Sequence, residues 1–502
     1  MTDLVVRADA DTQIGSGHIM RCFSLAQAWQ KLGGGVTFLS RCENESLRAR
    51  IRTAGFEFVT LAASHPDKLD LAQTLKLAHD IRAGSSTSPW VVLDGYHFDS
   101  GYQRQIRAAA HHLLVIDDMA HLNHYHAELL LNQNVGADLN YRCDRDTALL
   151  LGTEFSMLRA EFESWQNWQR VIPEVARRIL VSFGGSDPHN VTLKVIRALQ
   201  KSPEPWEARI IVGPANAHYA ELQEAVGASP NLQLAHDPSN IPELMAWADL
   251  AVSAAGSTSW ELAFMALPAV VLSLADNQEG IARGLAEKGA AVNLGWHEDV
   301  SEEMLAQAIN SMAASPERRR AMSIRAREMV DGRGADRVVA AMLKHSVTLR
   351  DVSPDDCKLI WEWANEPAAR ESSFSPETIP WADHVKWFEA KLNDDECFFY
   401  LALDHRGKPI GQVRYDVRER EAVVSVSLDP SSRGNGYGKL IITKGSERVF
   451  AQTSVAQIHA YVKPDNPASV GAFLKAGYAE QAMATIQGHT ARHFVLVPNQ
   501  AK

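Results

Sequence analysis

Gly15-Ser16-Gly17-His18-Ile19-Met20-Arg21 is the stretch from which the fold is read. The apolar run 4–8 before it reads as a strand, and residues 22–32 after it carry apolar side chains at helical spacing. A glycine turn between strand and helix lets a ligand approach the backbone and aims free N–H groups at it, which suits an anion. His18, at the start of that helix, adds an imidazole, a side chain suited to acid–base work.

Further strand-like runs at 36–39, 56–61, 90–93, 113–116 and 128–131 alternate with helical patterns. Such alternation predicts a mainly parallel sheet covered by helices on both faces, with ligands beyond the carboxyl ends of the strands. Asp94-Gly95-Tyr96-His97, Asp117-Asp118 and Asn132-Gln133-Asn134 lie at such ends, on the edge that carries His18. Residues 152–162 read as a crossing to a second lobe, whose strands are expected at 179–183, 208–212, 232–235, 250–253, 269–272 and 291–294. Two tandem lobes enclose a cleft. In the second lobe Gly256 allows close approach, while Ser257 and Thr258 suit a pyrophosphate. Glu261 is spaced to accept both hydroxyls of a ribose, although a glutamate there also suits a helix N-terminus. Asn277 follows the next strand. An anionic sugar nucleotide fits these residues together.

Composition narrows the classes. Hydrophobic content of 46% and charged content of 22% are those of a soluble globular protein. A net charge of −11 without a Lys/Arg run argues against nucleic acid, and no apolar run reaches membrane-spanning length. The five scattered cysteines and the lack of a basic leader predict a reduced, cytoplasmic protein. His121-x-x-His124-x-His126 lacks the spacing of a zinc enzyme and reads as solvated loop histidines, so no metal is expected.

Residues 316–344 read as one charged helical stretch, and the pattern restarts near Ser346. Helices at 355–365 and 381–392 precede strands at 397–403, 409–416 and 422–428 with hairpin-like connections. Arg433-Gly434-Asn435-Gly436-Tyr437-Gly438 then opens a helix at 439–450, followed by a strand at 456–462. A glycine turn that leaves a meander strand is not a dinucleotide fingerprint, but it makes a pyrophosphate cradle matched to coenzyme A. The predicted domains are therefore 1–160 and 161–345, two Rossmann-like lobes, and 346–502, a smaller α+β domain.

These motifs resemble two families. Arg7-Ala8-Asp9, Gly15-x-Gly17-His18-x-x-Arg21, Asp94-Gly95-Tyr96, Asn132-Gln133-Asn134, Gly152-x-Glu154-Phe155-x-x-Leu158-Arg159, Phe183-Gly184-Gly185-x-Asp187 and Gly256-Ser257-Thr258-x-Trp260-Glu261 are similar to the GT-B-like UDP-sugar hydrolases of pseudaminic-acid biosynthesis. Residues 346–500 resemble GNAT N-acetyltransferases through Arg433-x-x-Gly436-x-Gly438, Asn466-x-x-Ser469, Phe473 and Gly477-Tyr478. The Trp361-x-Trp363-Ala364-Asn365-Glu366-Pro367 and His384-x-x-Trp387-Phe388 segments resemble sugar-nucleotide members of that group. The resemblance implies a bifunctional enzyme. Its acetyltransferase would acetylate the 4-amine of UDP-4-amino-4,6-dideoxy-N-acetyl-β-L-altrosamine from acetyl-CoA, a cosubstrate. Its first unit would hydrolyse the resulting UDP-2,4-diacetamido-2,4,6-trideoxy-β-L-altrose to UDP and free sugar. His18 is the implied general base. Gly17, Arg21, Tyr96, Arg159, Gly256, Ser257, Thr258, Glu261 and Asn277 are expected to hold UDP, sugar or water. Leu428, Arg433, Gly434, Gly436, Gly438, Lys439, Asn466 and Ser469 are expected to hold acetyl-CoA. Phe473 stands where many GNAT enzymes carry a tyrosine acid, which leaves Tyr437 and Tyr478 as the nearby phenols. A GT-B glycosyltransferase, or a nucleotide-sugar binding protein without turnover, is the alternative for the first unit.

Overall fold

Short apolar runs build the first sheet of the molecule. In the computed structural model, which describes residues 2–11, 15–84, 88–137, 139–202, 206–227 and 229–498, they are β1 (Leu4–Ala8), β2 (Val36–Ser40), β3 (Glu57–Thr60), β4 (Trp90–Asp94), β5 (His112–Ile116), β6 (Leu129–Asn132) and β7 (Ala148–Leu151). All neighbours are parallel, in the order β3-β2-β1-β4-β5-β6-β7. Helices cover both faces, so Val5, Val91, Leu93, Leu113, Val115 and Leu130 are buried in one continuous core. The strand order reverses between β1 and β4, and at such a point the crevice beyond the carboxyl ends opens.

The second lobe repeats the plan with β8 (Arg178–Ser182), β9 (Glu207–Val212), β10 (Leu232–His236), β11 (Leu250–Ala254), β12 (Ala269–Ser273) and β13 (Val292–Trp296), ordered β10-β9-β8-β11-β12-β13 and parallel throughout. Its reversal lies between β8 and β11. The two lobes belong to one compact unit, Met1–Ala341.

Arg7 lies on β1 and is fully buried, which requires compensating charge. It contacts Asp9 at 2.5 Å and Asp70 at 2.6 Å, and so ties the end of β1 to the helix Lys68–Ala83.

The second unit, Met342–Lys502, is a mixed sheet of β14 (Thr348–Asp351), β15 (Cys397–Leu403), β16 (Pro409–Arg418), β17 (Glu421–Leu428), β18 (Gln457–Val462), β19 (Ala479–Glu480), β20 (Ala484–Ile486) and β21 (His489–Leu496). The order is β14-β15-β16-β17-β18-β21-β19, with β20 on β21, and only β17–β18 is parallel. The helices Tyr437–Gln452 and Pro467–Lys475 pack against this sheet through Ile441, Val449, Val470 and Phe473.

The structure differs from the expectations in three places. The stretch 316–344 is two helices, Pro316–Met329 and Gly334–His345, separated where Gly332 adopts φ +80°. The short strands β7, β14, β19 and β20, the eight-residue β21 and the helix Pro367–Ser372 are not evident in the sequence. The glycine-turn helix begins at Tyr437, two residues before the expected start. No helix among the described residues is long and apolar enough to cross a membrane.

Candidate active site

Both strand reversals of the first unit open into one cleft of about 540 Å³. The Gly15–Gly17 turn enters from β1 and the Gly184–Gly185 turn from β8. They approach closely: a β-carbon on Gly185 would lie 2.5 Å from Ser16 Oγ. Gly15 (φ +73°) and Gly184 (φ +82°) adopt the left-handed backbone that favours glycine. A β-carbon on Gly17 would meet nothing within 4 Å, so that residue leaves open space in the cleft.

His18 stands in the first turn of the helix Gly17–Lys31, and its Nδ1 lies 2.5 Å from Asp94 Oδ1 at the end of β4. The two flank the first reversal. Arg21, one turn along the same helix, holds Asp94 through Nε (2.5 Å) and Nη2 (2.6 Å) and Asp118 through Nη1 (2.7 Å). Burial works against the Asp94 carboxylate, but Arg21 and His18 outweigh it and keep its pKa far below the ordinary range. A carboxylate fixed in this way orients the imidazole and leaves Nε2 as the nitrogen for proton transfer. Arg21 is thus occupied by two carboxylates rather than free for a ligand, although it lines the cleft.

Tyr96 donates to Asp118 Oδ2 at 3.0 Å and accepts from Asn277 Nδ2 at 3.0 Å, which joins the two lobes across the cleft. Burial and Asp118 hold its phenol well above the usual range, so it remains a donor. Gly256, Ser257 and Thr258 line the opposite wall, where Thr258 opens the short helix Thr258–Phe264. Glu261, in that helix, accepts from Arg159 Nε at 2.9 Å, and Arg159 also reaches Glu161 at 2.7 Å. Burial pushes the Glu261 carboxyl upward, and the facing Arg159 opposes this without cancelling it. His18, Gly17, Arg21, Tyr96, Arg159, Gly256, Ser257, Thr258, Glu261 and Asn277 all border this one cleft.

Some partners were not legible. The sequence places Asp94 at the correct edge but does not pair it with His18, 76 residues away. Asp187, the last residue of the Phe183-Gly184-Gly185-x-Asp187 motif, accepts from the N–H groups of Val191 and Thr192 and so caps a helix. His124, His126 and Asp144 bring one ligand atom each within 4.8 Å of one another, a cluster that the histidine spacing did not reveal because Asp144 comes from a later loop. Both imidazoles lie within hydrogen-bond distance of Asp144, at 2.8 and 3.1 Å, and none of the three lines the cleft.

In the second unit, β17 and β18 pair only from Glu421↔Gln457 to Val423↔His459 and then part. Leu428 ends β17 beyond that point. The turn that follows contains Gly434 (φ +77°) and Gly436 (φ +78°) and opens the 16-residue helix Tyr437–Gln452, which includes Gly438 and Lys439. Arg433 donates to Glu366 at 2.7 Å and is not free in this state. Asn466 caps the helix Pro467–Lys475 by accepting from the Ser469 N–H at 3.0 Å. Burial raises the Tyr478 pKa far above the usual range, against the opposing effect of its hydrogen bond with Ser446 (2.9 Å), while Tyr437 remains half-buried at the helix start.

Residues 346–479 match the acetyltransferase (GNAT) domain family, and residues 179–338 match the C-terminal domain of glycosyltransferase family 28. The chain is a glycosyltransferase-like unit fused to a GNAT acetyltransferase domain. An uncharacterized protein of Methanocaldococcus jannaschii is 21% identical over 431 residues, 82% of each chain. The spore coat polysaccharide biosynthesis protein SpsG of Bacillus subtilis is 28% identical over 199 residues, which cover 39% of this chain and 58% of that protein. The UDP-2,4-diacetamido-2,4,6-trideoxy-β-L-altropyranose hydrolase of Campylobacter jejuni is 23% identical over 297 residues, 58% of this chain and 98% of that protein. In the GNAT domain the splayed strands and the glycine turn lie within the matched residues, and in the glycosyltransferase-like unit so do Gly256–Glu261 and Asn277.

Proposed function

We propose that the glycosyltransferase-like unit hydrolyses a UDP-linked diacetamido sugar and that the GNAT domain prepares that substrate by acetylating its 4-amine from acetyl-CoA. The observation that carries hydrolysis is His18 held on Asp94 at the edge of the cleft. His18 Nε2 takes a proton from water as the water oxygen bonds to the anomeric carbon, and the bond from that carbon to the phosphate oxygen breaks. UDP leaves with the electron pair. Gly256, Ser257 and Thr258 face the diphosphate, Glu261 and Arg159 the ribose and phosphate, and Tyr96 and Asn277 the sugar or water. In the GNAT domain the amine nitrogen bonds to the acetyl carbon, the carbon–sulfur bond breaks, and the proton that the amine gives up balances the one coenzyme A gains as it leaves as the thiol. Leu428, Arg433, Gly434, Gly436, Gly438, Lys439, Asn466 and Ser469 surround the diphosphate and pantetheine in this reading. The likeness to the Campylobacter jejuni hydrolase supports the sugar class.

The match to glycosyltransferase family 28 favours a second reading, transfer of the sugar to an acceptor. NMR of the purified protein with the UDP-4-amino sugar, with and without acetyl-CoA, separates them. Acetylation followed by UDP and free diacetamido sugar, without added acceptor, supports hydrolysis; acetylation with UDP retained overturns it for that sugar. His18→Ala is expected to slow UDP release by about 10²–10⁴. Near-normal release would remove His18 from the chemistry.

A further inference from the structure

One cation stands against the glycine turn of the GNAT domain from outside the residues that match the family. A β-carbon on Gly436 would lie 2.7 Å from Lys344 Nζ and 3.2 Å from its Cε. Lys344 is in the last turn of the helix Gly334–His345, before the matched residues begin at 346. It is half-buried, and no described residue offers its ammonium a carboxylate. Its charged neighbour is another cation, Lys475, in the last turn of the helix Pro467–Lys475; burial and Lys475 together push the Lys344 pKa down.

A lysine at a helix C-terminus is favoured by the helix dipole, which would be equally served by an ammonium out in water. Instead the side chain lies on Gly436, where the first N–H groups of the helix Tyr437–Gln452 already present positive partial charge. An ammonium set against a helix N-terminus is repelled there unless an anion joins the two. We propose that Lys344, with Lys475 beside it, is a phosphate-binding residue of the acetyl-CoA site and grips the diphosphate at the 433–438 turn. This rests on acetyl-CoA being the ligand of that turn. A lysine supplies a compact point charge to such a group, without the fork geometry of an arginine.

The test is titration calorimetry of the full chain with CoA and with dephospho-CoA, which keeps the diphosphate but lacks the 3′-phosphate. Lys344→Met retains the apolar stem and removes the charge; Lys344→Arg restores a cation. The expected result is about tenfold or greater weakening of both ligands in Lys344→Met, recovery in Lys344→Arg, and an unchanged far-UV spectrum. In turnover, the KM for acetyl-CoA rises while kcat holds. CoA affinity within twofold of the natural chain in Lys344→Met would overturn the assignment. So would a loss confined to CoA, which would move the lysine to the 3′-phosphate. Failure of the natural chain itself to bind CoA would instead remove the acetyl-CoA reading on which the assignment depends.

Discussion

Asp94 shows how a single carboxylate sets the chemistry of its neighbour. It is fully buried, faces His18 and Arg21 together, and remains an acceptor for both. Asp94→Asn keeps the shape but allows the amide N–H₂ to face His18 Nδ1, which stabilises the tautomer protonated at Nε2 and removes the base. UDP release is therefore expected to fall by about 10²–10⁴, with UDP affinity unchanged. Because the two residues act as a unit, adding His18→Ala should cost little more. Single-turnover measurement of UDP release in both single variants and the double variant checks this; additive losses would mean that Asp94 acts independently of His18. His18 was legible in the sequence because glycine turn, histidine and helix are local. Its partner was not, since only the sheet order brings β1 and β4 together. The Arg159–Glu261 contact, 102 residues apart, was hidden for the same reason.

At the scale of elements, several of the longer periodic segments are legible with the correct type and nearly the correct ends, as for Trp381–Leu392 and Cys397–Leu403. Elements that depend on neighbours were not. β14, Thr-Leu-Arg-Asp, has little pattern of its own and exists because it pairs with β15. The break at Gly332 carried an Asp-Gly signal that the surrounding charges obscured. Glycine turns likewise divide into two physical classes, which predicts different variant behaviour. A β-carbon on Gly213 would lie 2.4 Å from the Gly185 carbonyl oxygen and 2.5 Å from its Cα, and backbone cannot move aside cheaply. Gly213→Ala should therefore cost about 1–3 kcal/mol and also weaken UDP binding by displacing the Gly184–Gly185 turn. Gly17→Ala meets open space, so it should leave the melting temperature unchanged while weakening UDP binding. Thermal melts with and without UDP measure both; equal melting losses in the two variants would show that the open space at Gly17 belongs to the fold rather than to a ligand.

At the scale of the whole molecule, the burial of charge differs between the two units, and this sets the order in which acid unfolds them. Asp9, Asp70 and Asp94 are buried, which alone would raise their pKa values, yet His97 and Arg7, Arg7 and Tyr102, and Arg21 and His18 respectively hold them below the ordinary carboxylate range. Unfolded, each would titrate near about 3.9. A carboxylate depressed in the folded state binds fewer protons there than in the unfolded chain. Its stabilisation is complete above the ordinary range and is lost as pH falls below about 4 toward the folded values. Each therefore stabilises the folded first unit at neutral pH and ceases to do so in acid. The second unit also has depressed carboxylates, Asp356 beside Arg350 and Asp416 beside Arg414, but the Arg350 side chain is 41% exposed and Asp416 is 30% exposed, so water screens these pairs. Acid should therefore open the first unit before the second. Brief pepsin digestion at steps from pH 5 to pH 2, with peptide mapping, is expected to give its earliest cuts within 1–341. Earliest cuts after residue 341, or simultaneous loss of both units, would mean that the buried arginine–aspartate networks do not govern the acid limit.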